Sequence, residues 1–274
     1  MKNHIVKIEK HNIANNLPLT LFAGPCVVES QQHALDVAGK INEICSLLGI
    51  NFIYKSSFDK ANRSNIKSSR GIGLNKSLKI FSEIKKKIKC PITTDVHEPD
   101  QCKKISKVVD LIQIPAFLCR QTDLLIAAAK TKKPINIKKG QFVSPTEISN
   151  ILSKIKNNNK ILLTERGFSF GYNNLISDMR SLAIMKKTKF PVIFDATHSV
   201  QQPGGLGDKS GGQREHIPSL CKAAISIGVA GLFLETHNDP DNAPSDGPNM
   251  INIKELKNLL IQLKQFDDIA KNNA

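Results

Sequence analysis

The sequence predicts an α/β fold, a (β/α)8 barrel. Three observations carry that reading. Eight short, β-branched apolar runs recur along the 274 residues, helical periodicity fills most of the gaps between them, and every run ends in polar residues. Alternating strand and helix patterns over about 250 residues are the signature of a closed parallel barrel.

The runs are "LTLFAGPC" (19–26), "FIYKSSF" (52–58), "ITTDVH" (92–97), "LIQIPA" (111–116), "INIKKG" (135–140), "ILLTERG" (161–167), "VIFDATHS" (192–199) and "GLFLETH" (231–237). Each is nearly continuously apolar at its start, as a strand buried on both faces is. After the first run, Ser30 is placed to cap a helix. Ala34, Val37, Ala38, Ile41 and Ile44 then fall at helical spacing, and Gly49 can stop it. Further helices are expected over 75–88, 99–107, 121–130, 145–156, 173–187, 214–227 and 252–271. Their lysine-rich faces, such as "KKKIK" (85–89), read as solvated surfaces. Ahead of the barrel, "HIVKIE" and "HNIANN" read as a short hairpin, residues 1–18, closing its N-terminal mouth. Residues 1–274 are read as a single barrel domain, with no internal repeat or linker. A doubly wound open sheet would need a glycine-rich fingerprint after its first strand, and neither "GPCVVES" nor "GIGLNK" (71–76) supplies one.

Composition narrows the function classes. No apolar run approaches the roughly 20 residues that cross a bilayer, and "MKNHIVKIEKHN" has no apolar core of a signal peptide. A cytoplasmic protein with no membrane partner is expected. The net charge is +15, but of 39 basic residues 33 are Lys, alongside abundant Asn and Ile, which is a compositional bias. With no Trp, two Tyr and no nucleic-acid-binding motif, no nucleic-acid partner is expected. None of the six Cys forms a CxxC pair, so they read as reduced thiols.

The polar run ends carry the chemistry. They are Cys26 with Glu29 beyond, then Lys55, Ser56 and Ser57 followed by Lys60 and Arg63, then Asp95 and His97, and Gln113. The later runs end in Asn136, Lys138 and Lys139, in Glu165 and Arg166, in Asp195 and His198, and in Glu235 and His237. In a barrel these ends share one rim, where barrel active sites lie. Lys55, Lys60, Arg63, Lys138 and Arg166 put cations from three strands there, and such a group repels itself unless anions arrive. A polyanionic substrate, or two separate phosphates, fits. Closure also sets the eighth strand beside the seventh and the first. That gathers Cys26, His198 and Glu235, with Asp246 from "NDPDNAPSDGPN" in reach. A thiol, an imidazole and two carboxylates make a divalent-metal site that would accept Zn, Fe, Mn or Co. "GGLGDKSGG" (204–212) is not a P-loop, because Asp208 separates Gly207 from Lys209; it reads as a glycine-rich lid.

These stretches resemble a known family. "GPCVVES", "KSSFDKANRSNIKSSRG", "TTDVHEP", "IQIPAFLCRQTDL", "NIKKGQF", "TERG", "FGYNNL", "FDATHSVQ" and "ETHNDPDNAPSDGP" are similar, in order from about Leu21 to Pro248, to 3-deoxy-D-manno-octulosonate 8-phosphate synthases. The resemblance implies a homotetrameric barrel. It would condense phosphoenolpyruvate with arabinose 5-phosphate and water, release inorganic phosphate, and feed lipopolysaccharide synthesis. It implies Lys55, Ser57 and Lys60 at the phosphoenolpyruvate carboxylate, and Gln113, the Ala116 backbone, Lys138 and Arg166 at its phosphate. Asn62, Arg63 and Ser64 would hold the sugar phosphate, with Arg120 reaching over from a neighbouring subunit. The family has a metal-dependent branch with Cys at the position of Cys26 and a metal-independent branch with Asn there. This chain resembles the former, which implies Cys26, His198, Glu235 and Asp246 as ligands. His198, Asp246, Lys60, Asp95 and His97 are the catalytic candidates: His198 to orient water, Asp95 or His97 to move protons. Two alternatives stand beside this reading, a related synthase using erythrose 4-phosphate and a non-catalytic anion- or nucleic-acid-binding protein. The first typically carries Lys-Pro-Arg-Thr where this chain has "KANRSN".

Overall fold

Side chains alternate across a strand, so each barrel strand sends every second residue inward. In the computed structural model, which describes residues 3–63, 65–205 and 210–272, this alternation sorts the rim. The barrel strands are β3 (Thr20–Gly24), β4 (Asn51–Lys55), β5 (Ile92–Asp95), β6 (Leu111–Ile114), β7 (Ile135–Lys138), β8 (Ile161–Glu165), β11 (Val192–Asp195) and β14 (Gly231–His237). They pair in parallel in sequence order, and the ring closes through β11–β14 and β14–β3. Phe22, Ile53, Leu111, Leu162, Ile193 and Phe233 fill the interior. Their neighbours Leu21, Tyr54, Ile112, Leu163, Phe194 and Leu232 pack outward under the helices.

The hairpin is β1 (Val6–Ile8) and β2 (His11–Ile13), antiparallel. It inserts Val6, Ile8 and Ile13 into the interior cluster and seals the N-terminal mouth, as the sequence leads one to expect. The first barrel helix, α1 (Gln31–Leu48), is capped by the Ser30 hydroxyl, which accepts from the His33 amide at 3.1 Å, and ends at left-handed Gly49, φ 66°. The surrounding layer continues with α2 (Leu74–Ile88), α3 (Pro99–Ile105), α4 (Thr122–Lys130), α5 (Ile148–Ser153) and α6 (Met179–Lys186). Past β11 come a single helical turn, α7 (Ala196–Ser199), and then α8 (Ile217–Ser226) and α9 (Ile253–Asn272). No helix among the described residues is long and apolar enough to cross a membrane.

Three elements differ from expectation. The helix expected over 173–187 is only Met179–Lys186. Ahead of it β9 (Phe168–Ser169) pairs with β10 (Leu175–Ile176), turned by left-handed Gly171 and Asn173, φ 64° and 54°. The helix expected from 145 begins as a 3-10 turn, Pro145–Glu147, locked by a Ser144–Glu147 capping box. The run 192–199 is not one strand. Asp195 ends it by capping α7, accepting from the His198 amide at 2.9 Å and the Thr197 hydroxyl at 3.0 Å. His198 therefore stands on a helical turn above the rim. Residues 206–209 of the expected glycine-rich lid lie outside the described residues, while β12 (Gln201–Gln202) and β13 (Gly211–Gly212) pair on either side.

Candidate active site

The inward positions at the C-terminal ends of the strands are Cys26, Lys55, Asp95, Gln113, Lys138, Arg166, Asp195 and Glu235, in step with an interior apolar residue in six strands and with buried Thr93 and Asn136 in the strands of Asp95 and Lys138. Above them opens a cavity of about 680 Å3. Lys55, Gln113, Lys138 and Arg166 line its floor with Ala116, and Ser57, Asp95, His97 and His198 its sides. Lys60, Asn62, Arg63 and Asp246 close in from the loops after β4 and β14. Cys26 and Glu235 are 0% and 1% exposed. Two residues stand apart. Arg120 is exposed and outside the lining, its carbonyl accepting from Lys154 Nζ at 2.7 Å. Ser64 lies outside the described residues.

The cations are less mutually exposed than the sequence implies. Lys55 pairs with Glu235 at 2.9 Å, and Lys138 pairs with Asp195 over the face of Phe233. Among the described residues, Lys60, Arg63 and Arg166 have no carboxylate partner within ion-pair distance. Arg166 also keeps a buried Nη1 without a hydrogen-bond partner. Burial pulls the Lys138 and Arg166 pKa values down against nearby carboxylates. Burial opposes the charge on Lys60 too, but Cys26, Glu235, Asp95 and Asp246 outweigh it and raise its pKa. Burial pushes Asp195, Asp95 and Glu235 towards the neutral form, yet His198 with Lys138, His97, and Lys55 respectively hold all three well below the usual carboxylate range. Asn136 Nδ2 donates to Gln113 Oε1 at 3.3 Å, which leaves the Gln113 amide donors for the cavity.

One residue further along a strand, the chemistry changes. Lys139 and Glu165 face outward and pair with each other at 3.5 Å, Lys139 capping the Gly140 and Val143 carbonyls. Both belong to the wall, not to the cavity.

At the β3–β14 corner, Cys26, Glu235 and Asp246 each place a ligand atom within 4.8 Å of the others. His198 is not in that close group, but its Nε2 lies 3.6 Å from Glu235 Oε1. Its Nδ1 bonds Asp195 at 2.7 Å, so the tautomer leaves the Nε2 lone pair toward the corner, the arrangement in which histidine ligates metals. Glu235 Oε2 is buried without a hydrogen-bond partner. Thiol, imidazole, an orphaned carboxylate oxygen and a second carboxylate fit a divalent transition metal. Burial first, then Asp246 and Glu235, push the Cys26 thiol well up, so without a cation it keeps its proton and donates to Asp246 at 3.0 Å.

A second set, Glu29, His33 and His237, is also compact but wired differently. His237 Nδ1 accepts the Asp239 amide at 2.9 Å, so its Nε2 carries the proton and donates to Glu29 at 2.8 Å. That ring has no lone pair left for a metal.

A sequence profile of the DAHP synthetase I family matches residues 3–272. The chain belongs to that family. As a DAHP synthetase I family member it is 58% identical over 271 residues, 98% of each chain, to a Bartonella quintana protein named 2-dehydro-3-deoxyphosphooctonate aldolase. Proteins of the same name from Brucella anthropi and Bartonella henselae are each 57% identical over 271 residues, covering 98% of this chain and 98% and 97% of theirs. Three site residues of this family member carry no role in the sequence reading. Asp195 holds both Lys138 and His198; Gln201 and Ser245 hold Asp246. The parity of β11 marks Asp195 as inward; Gln201 and Ser245 sit in irregular segments with no periodicity to mark them.

Proposed function

We propose that the chain condenses phosphoenolpyruvate with D-arabinose 5-phosphate and water, giving 3-deoxy-D-manno-octulosonate 8-phosphate and inorganic phosphate. The full-length likeness to relatives named 2-dehydro-3-deoxyphosphooctonate aldolase supports the reaction. The observation that carries it in the geometry is one cavity lined both by buried cations, Lys138 and Arg166, and by the more exposed Arg63, cations enough for two anions.

In this reading Lys138, Arg166, Gln113 and the Ala116 backbone hold the phosphoenolpyruvate phosphate, and Lys55, Ser57 and Lys60 its carboxylate. Asn62, Arg63 and Ser64 hold the sugar phosphate. The enol carbon C3 bonds to the aldehyde carbon, water oxygen bonds to C2, and the C2–O bond to phosphate breaks. The water gives up both protons, one to the aldehyde oxygen and the other to the leaving phosphate as C2 becomes a ketone. Asp95 and His97, bonded through Nε2 at 3.1 Å, are placed to move these protons, and His198 to orient the water. A divalent cation held by Cys26, His198, Glu235 and Asp246 would supply Lewis-acid polarisation there. Lys60, whose charge is held by Cys26, Glu235 and Asp246 of that corner, offsets charge building beside it.

With erythrose 4-phosphate the shorter chain would leave its phosphate short of Arg63. Phosphate release from phosphoenolpyruvate is therefore expected with the pentose phosphate and at least about tenfold slower with the tetrose phosphate. Equal rates would favour the related synthase, and release with neither sugar a non-catalytic protein.

We further propose a cytoplasmic homotetramer. Phe142, Phe170 and Tyr172 are 54%, 64% and 96% exposed, the Ser169 amide bonds the Gln141 carbonyl between their segments, and Phe117, 53% exposed, lies three residues from exposed Arg120. An apolar patch next to a free arginine suits a second copy that takes that arginine into its own cavity. Arg120→Ala and Lys138→Ala variants, dissociated and reassembled together, are expected to regain activity that neither has alone. Additive residual activity would place Arg120 outside the neighbouring site.

A further inference from the structure

Asp246 is held in an unusual way. Its backbone is left-handed, φ 53° and ψ 21°, a conformation non-glycine residues adopt under strain, and it opens the turn Gly247–Asn249. Both carboxylate oxygens are nevertheless fixed. Gln201 Nε2 donates to Oδ1 at 3.0 Å, and the Ser245 hydroxyl donates to Oδ2 at 3.2 Å beside the Cys26 thiol at 3.0 Å. Each holder is itself held by a cation of the cavity. Arg166 Nη2 donates to Gln201 Oε1 at 2.8 Å, which turns the Gln201 amide donors onto Asp246. Arg63 Nη1 donates to Ser245 Oγ at 2.9 Å, which leaves the hydroxyl proton for Asp246. Guanidinium groups only donate and a carboxylate only accepts, so the direction of every bond in the chain Arg166–Gln201–Asp246–Ser245–Arg63 is fixed.

The backbone supports the same contact. Gln201 pairs across β12–β13 with Gly212. A Cβ on Gly212 would stand 1.5 Å from Asn249 Oδ1, so glycine lets the β12–β13 ladder lie against the turn that Asp246 opens. Arg214 Nη2 ties the same turn through the Gly247 carbonyl at 2.8 Å.

We propose that Gln201 and Ser245 are positioning residues that keep Asp246 beside Cys26 and Glu235 and tie that carboxylate to the two arginines of the cavity. The inference rests on the metal reading of the corner. It predicts that loss of either holder weakens the corner's hold on a cation and also loosens the arginine on that side.

The test titrates the purified full-length protein with Co2+ in the absence of substrates, reading thiolate-to-cobalt absorption. The parent, Gln201→Leu, Ser245→Ala and Ser245→Thr are compared. Gln201→Leu and Ser245→Ala are expected to bind Co2+ about 10–100-fold more weakly, and Ser245→Thr, which keeps a hydroxyl, close to the parent. Melting in the absence of metal should be cooperative in all. In steady-state assays Gln201→Leu should raise KM chiefly for phosphoenolpyruvate and Ser245→Ala chiefly for the sugar phosphate, a split that general loosening would not produce. Co2+ affinities within about twofold of a tightly binding parent would overturn the proposal and leave the metal reading standing. A parent with no thiolate–cobalt band would overturn both. If Gln201→Leu fails to fold, the Ser245 pair decides.

Discussion

Replacing Lys138 with alanine is expected to lower kcat/KM for phosphoenolpyruvate by about 10^3-fold or more, and to destabilise the fold by about 3–5 kcal/mol at neutral pH. Both effects come from one ion pair. The Lys138 ammonium lies against Asp195 and over the Phe233 ring at 3.6 Å, and Asp195 is wholly buried. Without the ammonium, Asp195 is a buried carboxylate with only His198 and Thr197 side chains left to it. Its pKa, which Lys138 and His198 together hold down against burial, must rise. The sign of the pH dependence follows. A depressed carboxylate pKa stabilises the folded state above the unfolded value and loses that contribution as pH falls. The parent therefore loses its advantage over Lys138→Ala as pH drops below about 4, and denaturant midpoints at pH 7 and about pH 3 measure the narrowing. Lys138→Met with Asp195→Asn should recover much of the stability, because no buried charge is left unpaired, and none of the activity, because the cation is still missing. A Lys138→Ala enzyme keeping even half of the parent's kcat/KM would remove Lys138 from the phosphoenolpyruvate site.

The same pair marks the limit of what the sequence can tell. Strand parity makes Cys26, Lys55, Lys138, Arg166 and Glu235 readable, since each falls on the inward phase of its strand, and the barrel's closure then brings Cys26 to Glu235. Parity also separates Lys138 from Lys139, neighbours with opposite fates. What it cannot give is which anion meets which cation. Five cations in the sequence ask for ligands, whereas Asp195 and Glu235 already answer two of them. The sequence places His198 at a strand end because Asp195 looks like one more rim carboxylate, whereas the Asp195 side chain caps a helical turn. The expected helix 173–187 is shorter in the structure because Leu175 and Ile176, which fit its spacing, pair in a hairpin turned by Gly171 and Asn173. Gln201 and Ser245 act through hydrogen bonds between segments that no local pattern connects.

Chelation is expected to lower turnover of the parent by at least about 10^2-fold, restored by a divalent transition metal, and to leave Cys26→Asn indifferent. Cys26 is buried, and its pKa is pushed up by burial and by Asp246 and Glu235, so at neutral pH the bare corner carries a neutral thiol donating to Asp246. A cation can be held only by the thiolate, so binding should release about one proton per site at pH 7, read with an indicator dye. With Cys26→Ala the soft donor is gone and Lys55 still holds Glu235 Oε1, so cation affinity should fall and the released proton should disappear. An asparagine amide in the same place can donate to Asp246 Oδ2 as the thiol does. It keeps the carboxylate oriented and the corner ordered with no cation, while offering no soft ligand to recruit one. Chelator-resistant turnover in the parent, or metal binding to Cys26→Asn as tight as to the parent, would show that Cys26 does not govern a metal at this corner.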